Sequence, residues 1–553
     1  MKTIPPTPSA YAYPLLIKQL LATPLAIAPG QEIVYRGTVR HSYRELNLRI
    51  HRFGGMLKAL GVKADDTVAV MDWDSHRYLE SYFAIPMFGA TLMTVNVRLS
   101  PAEIQYCLHH CGASILFVHA DFLPILAQIK AQLPRLKHFV LLRDHDTAAM
   151  NLPADFDGEY EAMLESAAPL KDFPDFDENT RATCFYTTGT TGDPKGVQFS
   201  HRQLVLHTLV TTAALAVPAQ GQRFHQADVY MPLTPMFHVH AWGIPYVATM
   251  MGVKQVYPGR YIPDALVDLL QKEKVTFSHC VPTVLQMVLQ AANAKAADFS
   301  RWKLVIGGAA LTAGLCTQAR ERGIDIFSGY GMSETCPLLT LAQLAPDAGN
   351  LNASEDIAVR TLTGRPVPMV HLRVVDAALQ DVPHDGKSTG EIVVRSPWLT
   401  QAYLGNADAS AKLWEGGWLH TQDIGHINPQ GYLSVTDRIK DVIKSGGEWI
   451  SSLQLENLIN QHPAVAEVAV IGIRDEKWGE RALPIIVQKN APDSGQTVQL
   501  TIEDIRKHLL QYVERGIISS YAVPSEIKVV AAIAKTSVGK TDKKLLRKTY
   551  VQG

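Results

Sequence analysis

Short apolar runs alternate with amphipathic stretches through the first part of the chain. Residues 67–71 form an apolar run, 75–88 carry helical spacing, and 90–95 return to a strand pattern. Ser100 as N-cap, Pro101 in the first turn, Glu103 completing a capping box and Gly112 as a stop predict the next helix. Runs 114–118 and 138–142 predict strands on either side of another helix. Such alternation predicts an α/β fold with a largely parallel sheet covered on both faces, in which ligands gather at the carboxyl ends of strands. Another strand–helix unit spans 302–311, with Thr312 as N-cap and Gly323 as stop. From about residue 370 the pattern turns β-rich, with 370–375, 390–394 and 426–435 reading as strands around turns. The charged run 437–441 reads as a linker, and beyond it 465–473 and 527–530 predict strands of a smaller unit.

At 553 residues the chain exceeds what one hydrophobic core organises, so at least two domains are expected. Apolar residues at 47% and charged residues at 19% are ordinary globular values. A formal net charge of −1 gives no general attraction for nucleic acid or an anionic membrane, which points to a small-molecule partner. The six cysteines lack regular spacing, which fits reduced thiols in a cytoplasm. No segment reaches the ~18 to 20 uninterrupted apolar residues of a transmembrane helix, and no targeting signal is read.

The densest candidate chemistry lies in 186–196, after the apolar strand that ends near Phe185. Gly189, Gly192 and Gly196 let the backbone present N–H groups to an anion; Thr187, Thr188, Thr190 and Thr191 supply hydroxyls, and Lys195 adds a positive charge. Lys195 is followed by Gly196 rather than Ser or Thr, so this is not a Walker A loop. Ser200 and Gln203 then open a helix as a capping box, giving the order strand, loop, helix expected of an anion site. By itself a Gly/Thr-rich turn is weak evidence, and a flexible surface loop is the alternative reading. Further along, His238, His240 and Trp242 read as a pocket wall, and Gly307 and Gly308 allow close approach of a ligand or of a helix. Tyr330 can stack on a base, Glu334 can hold magnesium, and Asp423, read beside a strand end, can accept from ribose hydroxyls.

Taken in order, 186–196, 330–335, 421–423, 437–440, 444–449 and the Lys540 segment resemble the acyl-CoA synthetase, luciferase and adenylation-domain superfamily of adenylate-forming enzymes. Segments 96–99, 236–242 and 444–451 look most like bacterial medium- and long-chain fatty acyl-CoA synthetases. The resemblance implies a large N-terminal domain, 1–437, with parallel α/β sheets plus a distorted β-barrel; a hinge, 438–441, at Lys440; and a small mobile α+β C-terminal domain, 442–553. It implies ATP, Mg2+ and coenzyme A, and two half-reactions. A carboxylate first attacks the α-phosphate of ATP to give acyl-AMP, and the CoA thiol then attacks the acyl carbon. Joining two anions calls for positive charge and oriented N–H groups around phosphorus.

The same resemblance carries the roles over to individual residues. Thr187, Thr190 and Lys195 would hold the triphosphate, with Thr188, Gly189, Thr191 and Gly192 completing the loop. Thr190 and Glu334 would hold the metal. Tyr330 would cover adenine, flanked by Gly308, Ala309, Gly329, Gly331, Met332 and Ser333, while Asp423 and Arg438 would hold the ribose. Lys540 would bridge carboxylate and α-phosphate. Gly446 and Gly447 would line the pantetheine channel, with Lys444, Glu448 and Trp449 as neighbouring cofactor-binding positions. His238, Trp242 and Gly307 would border the acid, Trp242 as a gate.

Four positions depart from the family pattern: Gln422 replaces the usual glycine, Ser333 stands where threonine is commoner, and Ala534-Lys535 replaces proline-arginine. None removes a functional group from the chemistry. An acid:CoA ligase is the leading expectation. A ligase loading a carrier protein, a CoA ligase for a branched, cyclic, aryl or thioalkyl acid, and a silent nucleotide sensor are the alternatives. The resemblance also admits a homodimer.

Overall fold

The computed structural model describes residues 1–144, 151–187, 193–218, 221–344, 351–445, 448–489, 500–536 and 540–551, with 448 and 449 described by their backbone. Positions Thr188, Gly189, Thr190, Thr191, Gly192, Gly446 and Gly447 lie outside the described residues, as do the side chains of Glu448 and Trp449.

Four sheets organise the described chain. In the first, seven strands run in the order 158–159, 138–142, 113–119, 67–71, 91–94, 181–187 and 195–200. All neighbours are parallel except the last pair, which is antiparallel. Thr67–Met71 is buried at every position, because helices cover both faces of a parallel sheet and leave no solvent side. The helices between begin where the side chains cap them. Ser75, Ser100 and Ser200 each accept from the backbone N–H three residues on, and Glu103 and Gln203 close reciprocal boxes on Ser100 and Ser200.

A second, nine-stranded sheet has a parallel centre and antiparallel edges. Its strands Lys303–Ile306 and Asp325–Gly331 end at the glycine-rich segments singled out above. The region expected as a distorted barrel is a four-stranded antiparallel sheet, His371–Val375, Gly390–Arg395, Leu419–Ile427 and Leu433–Arg438. A Gly364–Leu433 bridge ties it to the edge of the nine-stranded sheet. One apolar core of buried residues runs from the seven-stranded sheet into this third sheet, and a second fills the nine-stranded sheet.

The small C-terminal domain is built on a fourth sheet with its own two apolar clusters. Its long hairpin, Val465–Asp475 with Gly479–Gln488, carries the Lys528–Val529 strand at its edge. No helix among the described residues is long and apolar enough to cross a membrane.

Two expectations change. Between the 186–196 loop and its helix stands a return strand, Lys195–Ser200, so the helix N-terminus lies past the loop rather than at it. Thr187 pairs with Lys195, and the two strands exchange backbone hydrogen bonds along the hairpin. Asp423 lies inside the Leu419–Ile427 strand rather than at its end, beside an irregularity in the pairing register.

Candidate active site

The site is assembled where strands of the nine-stranded sheet end, against the four-stranded sheet and the C-terminal domain. Gly307 and Gly308 follow the Lys303–Ile306 strand. A Cβ on Gly307 would lie 2.9 Å from Trp242 Cη2 and 3.0 Å from the Gly329 carbonyl oxygen, so only glycine admits the indole there. Gly308 has φ +75°, and a Cβ on it would lie 3.1 Å from Lys540 Cε. The C-terminal domain therefore lays the Lys540 side chain directly on the large domain's backbone. Ala309 beside it is exposed.

Tyr330, at the end of Asp325–Gly331, donates its hydroxyl to Asp423 Oδ2 at 2.7 Å, and Arg438 Nε donates to Asp423 Oδ1 at 3.1 Å. One carboxylate thus joins two sheets and the start of the charged run. Burial, then the Asp423 charge, hold the Tyr330 phenol well above its ordinary range, so it is a neutral donor. Gln422, preceding Asp423, adopts φ +60°, the left-handed region that the glycine it replaces would enter freely. Burial first and the Arg438 guanidinium next push the Lys540 ammonium down to about 8; Asp423 and Glu334 act on it in the opposite sense. Four of the expected residues, Lys540, Asp423, Arg438 and Glu334, therefore share one electrostatic neighbourhood.

Glu334 sits in the short 3-10 turn Ser333–Thr335, after Gly331 and Met332, and is buried. Its Oε1 accepts from Tyr403 Oη at 2.7 Å, and Oε2 has no partner among the described residues. Lys195 Nζ lies 4.9 Å from the centroid of the same Tyr403 ring. On the CoA side of the expectation, Lys444 N–H donates to Glu480 Oε2 at 2.8 Å, and backbone pairing sets Lys444 against Trp449 and Ser445 against Glu448. Lys440 is exposed in the turn after Leu433–Arg438.

The wall bearing Trp242 has an unusual backbone. Val239, His240, Ala241 and Trp242 have φ of 42°, 57°, 46° and 58°, four successive non-glycine residues in a left-handed turn before Gly243. Three contacts from the seven-stranded sheet and its helices hold the entry to that turn. Asp74 Oδ1 accepts from Met236 N–H at 2.8 Å, Tyr82 Oη donates to the Met236 carbonyl, and Thr94 Oγ1 donates to the Phe237 carbonyl at 2.8 Å. Trp242 then rests on His279, with ring centroids 4.9 Å apart. Burial pushes both His238 and His240 down to about 3, His238 with a further contribution from Lys540, so neither carries a proton at neutral pH.

The sequence singled out neither Asp74, His279 nor Tyr403. Asp74 lies between the apolar run 67–71 and the helical stretch 75–88, and His279 and Tyr403 lie outside every segment the pattern marks. The pairing of each with the site is set by contacts distant in sequence.

Comparison with known proteins matches residues 24–404 to the AMP-binding enzyme family and residues 454–540 to the AMP-binding enzyme C-terminal domain. The chain is 38% identical over 518 residues to a long-chain-fatty-acid–CoA ligase of Thermus thermophilus, covering 92% of this chain and 90% of the relative. It is 36% identical over 546 residues to a 3-methylmercaptopropionyl-CoA ligase of Ruegeria lacuscaerulensis, covering 97% of each. An anthranilate CoA ligase solved with anthranoyl-AMP shares its fold over 97% of both chains, with a TM-score of 0.84 at 24% identity. Two ordered family matches over a fold whose small domain reaches the large one through Lys540 lead to one conclusion: the chain belongs to the AMP-binding, adenylate-forming enzyme family.

Proposed function

We propose that this protein is an AMP-forming acid:CoA ligase whose acid is a medium- or long-chain fatty acid. The observation that carries the reading is Lys540 of the C-terminal domain lying against Gly308, in the charge neighbourhood of Asp423, Arg438 and Glu334. In this arrangement the ammonium is held where a carboxylate and an α-phosphate would meet. Those anions would draw its lowered pKa back up, so that it carries its charge when the crowded phosphorus centre forms.

Arg438 and Tyr330 orient the Asp423 carboxylate, leaving lone pairs for the two ribose hydroxyls, and the Tyr330 ring offers a face to adenine. Thr187 and Lys195, paired across the hairpin, present a hydroxyl and an ammonium to the triphosphate. Glu334, with Oε2 unpartnered among the described residues, fits a hard cation; magnesium there would neutralise phosphate charge. Thr190 belongs to the same metal reading by resemblance. The resemblance and the small domain's own core support a division into 1–437, a hinge at 438–441 and a mobile 442–553. Because Lys540 occupies the side from which CoA would enter, thioester formation requires the C-terminal domain to rotate about Lys440. Gly446 and Gly447 are then the positions proposed to border pantetheine. A cytoplasmic location and a homodimer complete the proposal; sedimentation of the purified protein tests the latter.

Lys540→Ala tests the division of labour. It is expected to abolish acid-dependent pyrophosphate exchange, by about 100-fold or more, while supplied acyl-AMP is still converted to acyl-CoA. Equal loss of both steps would refute the assignment. A panel of acids incubated with MgATP and CoA separates this ligase from one that loads a carrier protein. AMP formed together with thioester supports the first, and adenylate without transfer to CoA supports the second.

A further inference from the structure

The segment 398–404 connects the four-stranded sheet to the helix Ala407–Leu413, and several of its polar contacts reach beyond both. Thr400 N–H donates to the Glu334 carbonyl at 2.9 Å, and Thr400 Oγ1 donates to the Gln198 carbonyl at 2.9 Å. Tyr403 forms a backbone bridge to Val197, and Leu404 N–H donates to the Gly196 carbonyl at 2.8 Å. A Cβ on Gly196 would lie 3.1 Å from Leu404 Cβ, so the glycine of the return strand is what lets this strap lie down. The strap is thus fixed at one place to the turn that bears Glu334 and at another to the strand that begins with Lys195.

Tyr403 is the one side chain of the strap that meets both groups. Its hydroxyl donates to Glu334 Oε1 at 2.7 Å, and its ring face lies 4.9 Å from Lys195 Nζ. It is 8% exposed, and its backbone N–H donates to Ser410 Oγ at 3.0 Å. No ion pair joins Lys195 to Glu334 among the described residues. In direct contact an ammonium and a buried carboxylate would pair, and each would be spent on the other.

We infer that Tyr403 is a positioning residue that holds Lys195 and Glu334 apart and fixes one Glu334 oxygen, so that the ammonium stays open to phosphate and the second oxygen stays open to a divalent cation. This rests on the proposed roles of Glu334 and Lys195. The ring supports Lys195 by a cation–π contact that leaves the ammonium's N–H groups unused.

The test is nucleotide binding by the full chain, with ATP in EDTA and ATP with excess Mg2+, the ratio of the two dissociation constants giving the gain due to metal. Tyr403→Phe keeps the ring and loses the hydroxyl. It is expected to lower the metal gain about tenfold, the effect of one charge-assisted hydrogen bond, with metal-free ATP binding within about twofold of the parent. Tyr403→Leu loses the ring as well and is expected to weaken metal-free binding too. Glu334→Gln run alongside separates the two layers. If Glu334→Gln removes the metal gain and Tyr403→Phe leaves it intact, the inference about Tyr403 is overturned while the role of Glu334 stands. If Glu334→Gln leaves the gain intact, the role of Glu334 itself is overturned. Equal loss of both dissociation constants in Tyr403→Phe, together with a lowered unfolding midpoint, assigns Tyr403 to folding alone and also overturns the inference.

Discussion

Gln422 shows what a single side chain costs at a site. Its φ of +60° lies in the region where an L-residue's Cβ crowds the following carbonyl, a cost of about 1–2 kcal/mol that glycine avoids. The side chain is exposed, and its N–H donates to Glu391 Oε1 at 3.1 Å, a bond that survives substitution. Gln422→Gly is therefore expected to raise stability by about 0.5–1 kcal/mol after the extra chain entropy of glycine is subtracted, read as a higher urea midpoint at unchanged slope. A lower midpoint would mean that the glutamine side chain makes a contact worth more than the backbone strain. Gly307 is the opposite case, where a missing Cβ leaves room for Trp242 rather than relieving a dihedral.

At the scale of elements, the left-handed turn over residues 239–242 is stable only because its neighbours over-determine it, and Asp74 is one of those neighbours. Burial raises the Asp74 carboxyl to about 7, with Tyr261 Oη, Met236 N–H and Arg98 pulling it back and Asp72 adding to the rise. The sign follows from proton counts. Between about pH 4 and 7 the folded state holds a proton that the unfolded state has released, so stability falls as pH rises through that window. Asp74→Asn keeps an acceptor for Met236 N–H without the charge. It is expected to flatten that part of the stability profile and to be more stable than the parent at pH 8 by on the order of 1 kcal/mol. A profile as steep as the parent's would place the titration on another group. Legibility in the sequence follows the same division between local and distant contacts. The helices capped by Ser75, Ser100 and Ser200 could be read because donor and acceptor lie three residues apart. The return strand Lys195–Ser200 could not, since its pairing with Arg181–Thr187 depends on the hairpin and its pattern is short. The left-handed turn lacked the glycines that normally announce one, and the strap bearing Tyr403 is defined wholly by partners far along the chain. Of the site, the six ordered motifs brought Tyr330, Glu334, Asp423, Arg438 and Lys540 into view, whereas the residues that hold them in place stayed hidden.

For the molecule as a whole, the contact of Lys540 with Gly308 couples domain arrangement to pH. An ordinary lysine keeps its proton to about pH 10.4, and the docked one to about 8. The docked form therefore binds fewer protons between those values, so without nucleotide docking is favoured as pH rises from about 8 towards 10.4. Distance measurements between labels on the two domains of the apo protein should show the docked fraction increasing over that range. Lys540→Met, of similar length and without charge, should show a fraction independent of pH there; an identical rise in the variant would assign the effect elsewhere. The small domain can respond as a unit because its clusters are separate from those of the large one.

Lys540 reaches the Gly308 backbone from the smaller lobe, so a single side chain spans the seam between separately packed cores. Shortening that side chain, as in Lys540→Ala, withdraws the tie across the seam without touching any of those cores.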